Sequence, residues 1–281
     1  MKSSPLNLPV NLPADFAVAL DRVLDGLPGI GPMVLFFPSI GSTNDVALRL
    51  AARHDGDGAI VIADQQTAGR GRRGRTWFSP PASGLYTSIV LSPGRSRGDP
   101  ERATLLVTLM AGVAIAEGVE AASGLRADIK WPNDLYVSRR KLAGILAEAA
   151  PLDVAVGSGA GTRVVLGYGV NVSATAFPRE LADRVTSIET ELGRPADRAA
   201  LCAETLRAIG RRYADLLDGR FDAILDAWRA RAPASRGARV RWETPAGTQT
   251  GITAGIDDGG ALLVDVSGRV ERIVGGEVIW W

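Results

Sequence analysis

Hydrophobic positions change their spacing twice along this chain. Residues 1–32 are rich in Pro and Gly, and only 15–27 carries a helical spacing, so this stretch reads as an appendage packed on the main domain. From Met33 onward, short apolar runs alternate with helical stretches. Strands are expected at 33–37, 59–63, 85–91, 128–131, 142–149 and 164–172, and helices at 44–53, 102–122, 199–217 and 221–231. Residues 65–83 form a loop of Gly, Arg and Pro. After Pro233 the runs turn short and β-like, at 238–243, 251–256, 261–265 and 269–274, with turn signals at 245–247, 257–260 and 267–268. That spacing suggests a small β-barrel of SH3-like size. The chain thus divides into an appendage at 1–32, a mixed unit at 33–234 and a small β domain at 235–281. Its expected class is α+β, a mixed β-sheet with flanking helices beside the SH3-like barrel.

The longest uncharged apolar stretch, 103–116, is too short for a membrane span and includes Thr104 and Thr108, so it reads as a buried helix. No apolar segment of signal-peptide type comes after Lys2, and a cytoplasmic setting is expected. Nothing in 1–32 has the length or pattern of a helix–turn–helix. The single histidine, His54, cannot supply a His-based metal site, and no acidic cluster at ligand spacing replaces it. The single cysteine, Cys202, excludes a disulfide framework and a CxxC pair, and within its helical pattern it reads as a core residue.

Charge adds one informative oddity. The net charge of +1 argues against a polybasic coat, but the basic residues are 29 arginines against only Lys2, Lys130 and Lys141. In a chain so biased, a retained internal lysine is a candidate for a task that arginine cannot perform. Asparagine is scarce as well: after Asn7 and Asn11 come only Asn44, Asn133 and Asn171.

Gly69-Arg70-Gly71-Arg72-Arg73-Gly74 satisfies the G-x-G-x-x-G pattern after a strand. A dinucleotide fold also needs a helix to open there, and Arg75-Thr76-Trp77-Phe78-Ser79-Pro80-Pro81 cannot be one. From Gln65 to Gly98 there is no acidic residue, so Arg70, Arg72, Arg73 and Arg75 form an electropositive loop suited to forked contacts with a polyphosphate. Trp77 offers a flat face beside it. A solvated basic loop and a single-strand nucleic-acid loop are the rival readings.

Both body lysines lie within twelve residues, in Lys130-Trp131-Pro132-Asn133-Asp134 and Arg140-Lys141-Leu142-Ala143-Gly144-Ile145-Leu146. A compact ammonium suits a small, shifting negative charge such as a carboxylate attacking phosphorus. Asp134, expected in the loop after a strand, could hold a divalent ion or a ribose hydroxyl, or simply make an Asx turn.

These segments, with Ser42-Thr43-Asn44, Gln66 and Gly167-x-Gly169-Val170-Asn171-Val172, stand in the order and spacing of the bacterial biotin–protein ligases, which the chain resembles over about residues 36–172. The β-like C-terminal segment is similar to that family's small C-terminal domain, whereas 1–32 has no counterpart of the DNA-binding domain found in its repressor forms. The resemblance implies the class II synthetase-like biotin-ligase fold and two reactions. Biotin is first activated with ATP to biotinyl-5′-AMP, and is then passed to a lysine of a biotin carboxyl carrier protein.

It further implies Lys141, Arg72 and Asp134 as catalytic residues. The biotin site would comprise Ser42, Thr43, Asn44, Gln66, Arg70, Gly71, Arg72, Lys141 and Gly144. The ATP site would comprise Arg72, Arg75, Trp77, Lys130, Asn133, Asp134 and Asn171, with Mg2+ near Asp134. Ser42 and Asp45 also make a capping box at the start of a helix. Neither nucleic acid nor membrane is expected as a partner, and a homodimer stays open. A lipoate or octanoate ligase of the same fold is the nearest alternative, but an apolar acyl chain would not call for Ser42, Thr43 and Gln66 together.

Overall fold

The computed structural model describes residues 12–31, 33–53, 55–150, 162–173, 177–245 and 247–280; residues 1–11 of the appendage and His54 lie outside them. A seven-stranded sheet is built from β1 (Val34–Phe37), β2 (Ile60–Ala63), β3 (Gly84–Leu91), β4 (Asp128–Lys130), β5 (Asp134–Val137), β6 (Arg140–Ala149) and β7 (Val164–Asn171). Their order is β1-β2-β3-β7-β6-β5-β4, antiparallel except for the parallel β1–β2 pair. Helices α1 (Ala14–Leu24), α2 (Thr43–Ala51), α3 (Pro100–Ser123), α4 (Arg179–Ala182), α5 (Ile188–Leu192), α6 (Arg198–Leu217) and α7 (Phe221–Arg231) flank it.

Strands β3 and β7 are buried along their whole length, which is why they read as largely apolar runs, interrupted in β3 by Thr87 and Ser88. Alternation sorts their side chains between two environments. Leu85, Ile89, Leu166 and Val170 enter the main core with α3 and α6, while Val90 and Val165 join Val46, Ala47 and Leu50 of α2 in a smaller core on the other face. Helix α3 is apolar nearly all round because it is enclosed. Asp99 accepts hydrogen bonds from the amides of Glu101 and Arg102 at its start, and Gly124, left-handed at φ 77°, ends it. Among the described residues it is the one helix long and apolar enough to cross a membrane, and most of its apolar residues are buried in the core, with Leu105 an exposed exception.

The appendage is more integral than its composition suggested. Phe16, Leu20, Val23 and Leu24 of α1 are buried in the main core. The C-terminal region forms a five-stranded antiparallel sheet of β8 (Arg236–Thr244), β9 (Gly247–Ile256), β10 (Leu262–Val266), β11 (Arg269–Ile273) and β12 (Val278–Trp280), in the order β11-β10-β9-β8-β12. It is stitched to the larger sheet at the 257–260 turn, where Gly260 O accepts from Trp131 Nε1 (2.9 Å) and Asp258 O from Arg102 Nε (3.0 Å).

Four short elements were not expected. They are β5, β12, α4 and α5, each of five residues or fewer, too short to show a period. One of them corrects the expectation for Asp134: it opens strand β5, paired with Gly144, rather than lying in a loop.

Candidate active site

A cleft of about 760 Å³ lies on the sheet face that α2 covers only in part, and every candidate residue named from the sequence lines it. Its floor is backbone. Gly144 of β6 is paired with Gly169 of β7, and Gly167 with Leu146. A Cβ on Gly167 would fall 1.9 Å from Asn44 Oδ1, and one on Gly169 would fall 2.3 Å from Trp77 Nε1. Only glycine lets those two side chains come down onto the sheet.

At one end the N-terminus of α2 enters the cleft. Ser42 occupies the N-cap position, but its hydroxyl caps no amide, so the capping box with Asp45 does not form. Thr43 N and Oγ1 both donate to Gln66 Oε1 (2.9 and 3.1 Å), and Gln66 Nε2 donates to Ser79 Oγ (3.0 Å). Ser88 Oγ sits between Asn44 Oδ1 (2.6 Å) and Thr43 Oγ1 (2.8 Å). The Asn44 amide also donates to Glu148 Oε2 at 2.7 Å. Asn44 thus braces the protein framework at the end of the cleft that it lines.

The arginine loop is tied down rather than loose. Arg70 bridges Thr76, Gly71 N donates to Arg75 O (2.7 Å), and Trp77 N donates to Gly69 O (2.9 Å), which closes residues 69–77 into a narrow hairpin. Arg70 forks onto Glu148 and also reaches Asp45. Arg72 Nη1 donates to Asn133 Oδ1 at 3.0 Å, and burial lowers its guanidinium pKa against the opposing pull of Asp134. Arg75 pairs with Glu277 of the second sheet, whose carboxyl is held below its ordinary pKa by that hydrogen bond.

Lys141 and Gly144 lie three residues apart, so a regular strand would turn them to opposite faces. A bulge in the β5–β6 ladder, where Leu135 pairs with Ala143 and Tyr136 with Lys141, re-aims the lysine into the cleft. Its Nζ lies 2.6 Å from Asp134 Oδ1 and 5.4 Å from the centre of the Trp77 ring. Its backbone is held by 184–186, through Lys141 N to Arg184 O and Thr186 N to Lys141 O (both 2.9 Å).

Lys130 faces the ring of Tyr136 at 4.9 Å. Burial pushes its ammonium pKa down, Asp134 opposes this, and Lys141 adds to it. Burial, reinforced by Asp134, pushes the Tyr136 phenol up to about 12. Asn133 Nδ2 donates to Ile145 O (2.8 Å) and Asn171 Nδ2 to Thr186 O (3.0 Å), so both amides brace the walls. The indole N–H of Trp77, buried against Gly169, has no acceptor among the described residues, and such a donor costs about 1–3 kcal/mol.

Sequence reasoning missed Ser88, Tyr136, Glu148 and Glu277. Of these only Glu148 left a signal, as a lone acid within the apolar run 142–149.

Comparison with known proteins agrees with this geometry. The family model "Biotin/lipoate A/B protein ligase family" matches residues 36–171, and "Biotin protein ligase C terminal domain" matches 237–281. A biotin–[acetyl-CoA-carboxylase] ligase of Mycobacterium tuberculosis is 38% identical over 246 residues, covering 85% of each chain. The bifunctional ligase/repressor BirA of Bacillus spizizenii is 36% identical over 251 residues, which is 89% of this chain and 74% of that one. The biotin protein ligase of Aquifex aeolicus, solved in complex with biotin and ATP, superposes with a TM-score of 0.73 at 26% identity, over 89% of this chain and 98% of that one. By its catalytic and its C-terminal region alike, the chain belongs to the biotin protein ligases of the biotin/lipoate A/B protein ligase family.

Proposed function

We propose that this protein activates biotin with ATP and transfers it to a lysine of a carboxylase carrier protein. The observation that carries the proposal is the Lys141–Asp134 pair at the meeting point of the glycine floor and the arginine hairpin. In the first step a biotin carboxylate oxygen attacks the α-phosphorus of ATP, and pyrophosphate leaves. In the second the carrier's ε-amine attacks the acyl carbon, and AMP leaves with the bonding pair.

The polar α2 end, with Ser42, Thr43 and Gln66, suits a ring bearing both donors and acceptors. Gly144 lets the ligand lie against backbone. The ring of Trp77 is the flat face proposed for adenine. Lys141 would meet the charge that develops between carboxylate and α-phosphate, a role that falls to fixed donors in a water-poor site. Arg72 and Lys130 would face the phosphates, with Asn133, Asn171 and Arg75 holding the walls around the nucleotide. The hairpin at 69–77 would screen the mixed anhydride from water.

Among the described residues no three His, Cys, Asp or Glu side chains meet as a metal cage. Asp134 is the carboxylate that would hold a magnesium ion carried in on the nucleotide, as expected for an ion bound chiefly by phosphates. Such an ion would neutralise phosphate charge.

Biotin-dependent exchange of labelled pyrophosphate into ATP tests the reading, together with label transfer to a carrier domain. Exchange is expected with biotin and not with lipoate. Exchange driven by lipoate alone would overturn the proposal.

A further inference from the structure

No step of the proposed reaction uses Glu148, yet among the described residues it is the most heavily engaged carboxylate at the cleft. We propose that Glu148 is a positioning residue that holds the 69–77 hairpin shut and so retains the activated acyl group until the carrier's amine arrives. The inference rests on the adenylation reading of this site.

The hairpin is anchored at its base. That base is the Arg70–Thr76 bridge, and Arg70 is the residue through which it reaches the sheet. Arg70 Nη1 donates to Glu148 Oε1 at 3.1 Å and Nη2 to Glu148 Oε2 at 2.8 Å, a two-pronged charge-assisted contact that fixes direction as well as distance. Glu148 itself is rigidly mounted. It pairs with Val165 in the β6–β7 ladder and accepts a third hydrogen bond from Asn44 Nδ2, which Ser88 steadies in turn.

The other fastenings are weaker. Arg72 meets the neutral amide oxygen of Asn133. Arg75 meets Glu277 with side chains 64% and 40% exposed, the regime in which an ion pair contributes little. Asp45 offers Arg70 one oxygen from a side chain 47% exposed, against 26% for Glu148. Among the described residues, loss of Glu148 therefore removes the better shielded of the hairpin's charged fastenings, with Arg70 36% and Glu148 26% exposed.

The carboxylate has a second consequence. Asn44 adjoins Thr43, so the α2 end of the cleft and the base of the hairpin share one acceptor. A ligand that settles the α2 end also settles Glu148, and with it Arg70.

The test uses the full chain with Glu148→Gln, Arg70→Ala and the double variant, supplied with biotin and ATP and no carrier. Two rates are read: adenylate formed on the enzyme, and adenylate released to solution. Glu148→Gln is expected to form adenylate within about threefold of the wild-type rate and to release it roughly 10- to 100-fold faster, as befits loss of a charge-assisted fork. Arg70→Ala should release it as fast, and the double variant no faster than either single change, because both remove the same contact. Glu148→Asp, which keeps the charge, should restore part of the retention.

Unchanged release from Glu148→Gln overturns the inference, and so does an additive double variant. If Glu148→Gln does not fold, the release rate of Arg70→Ala decides in the same way. Failure of the wild type to make adenylate from biotin and ATP would instead count against the proposed activity.

Discussion

Lys141→Ala separates catalysis from architecture at this site. The ammonium is 2.6 Å from Asp134, and the two side chains are 26% and 20% exposed. The pair therefore lies between exposed ion pairs, at about 0–1 kcal/mol, and fully buried ones, at about 3–5 kcal/mol when one partner is removed. The expected stability loss is about 1–3 kcal/mol, or roughly 2–10 °C in Tm for a chain of this size. That loss leaves most molecules folded at 25 °C.

The effect on rate should be far larger. Removing one fixed donor from developing charge in a shielded site costs about 10²- to 10³-fold. Lys141→Arg adds a control, since a guanidinium can keep the ion pair with Asp134 but not the compact point charge. Its Tm should approach that of the wild type while its exchange rate does not recover. The assay is biotin-dependent pyrophosphate exchange, normalised to folded protein by circular dichroism. Exchange by Lys141→Ala within tenfold of wild type would refute the role assigned to the lysine, whatever the melting data show.

Two further outcomes are expected. In Gly169→Ala the new Cβ would lie 2.3 Å from Trp77 Nε1, and the Trp77 backbone is pinned to Gly69, so the indole must leave the floor. A loss of about 1–3 kcal/mol of stability is expected from overpacking, with biotin affinity falling by calorimetry; unchanged affinity would contradict the floor as a binding surface. Glu277 has its folded pKa lowered by the Arg75 hydrogen bond. Its contribution to stability is thus present above the unfolded value near ~4.3 and disappears as pH falls through the folded value. Because the pair is exposed, Glu277→Gln should cost at most about 1 kcal/mol in urea unfolding at pH 7, and progressively less as pH falls through the folded value. A cost that does not decline on acidification would contradict this.

The long elements were legible because burial on both faces or nearly all round leaves a predominantly apolar signature, as in β3, β7 and α3. The short elements were not, since four residues such as those of β5 show no period, and Asp134 was misplaced as a result. The cleft's membership was readable from ordered motifs, whereas its wiring was not. Arg70 meets Glu148 across 78 positions and Arg75 meets Glu277 across 202, and no local pattern marks such partners. Hence four arginines in six positions read as an electropositive loop open to a polyphosphate, while the fold ties three of them to side chains elsewhere. The bulge that aims Lys141 was equally hidden, because it depends on the register of the neighbouring strand.

The glycine floor has a thermodynamic consequence. Side chains that line a pocket must surrender rotamer freedom when a ligand fixes them, at about 0.5–1.5 kcal/mol each for the mobile ones. Gly144, Gly167 and Gly169 have no rotamers to surrender, and two ladders of interstrand hydrogen bonds hold β7 from either side. Asn44 and Trp77 are seated on this surface, so a ligand in the cleft meets side chains backed by a wall whose ordering entropy was lost when the protein folded. Its binding free energy is then reduced mainly by fixing the exposed side chains of the arginine hairpin, whose backbone is already tied down. Affinity should respond steeply to changes in that hairpin and hardly at all to the stiffness of the sheet beneath.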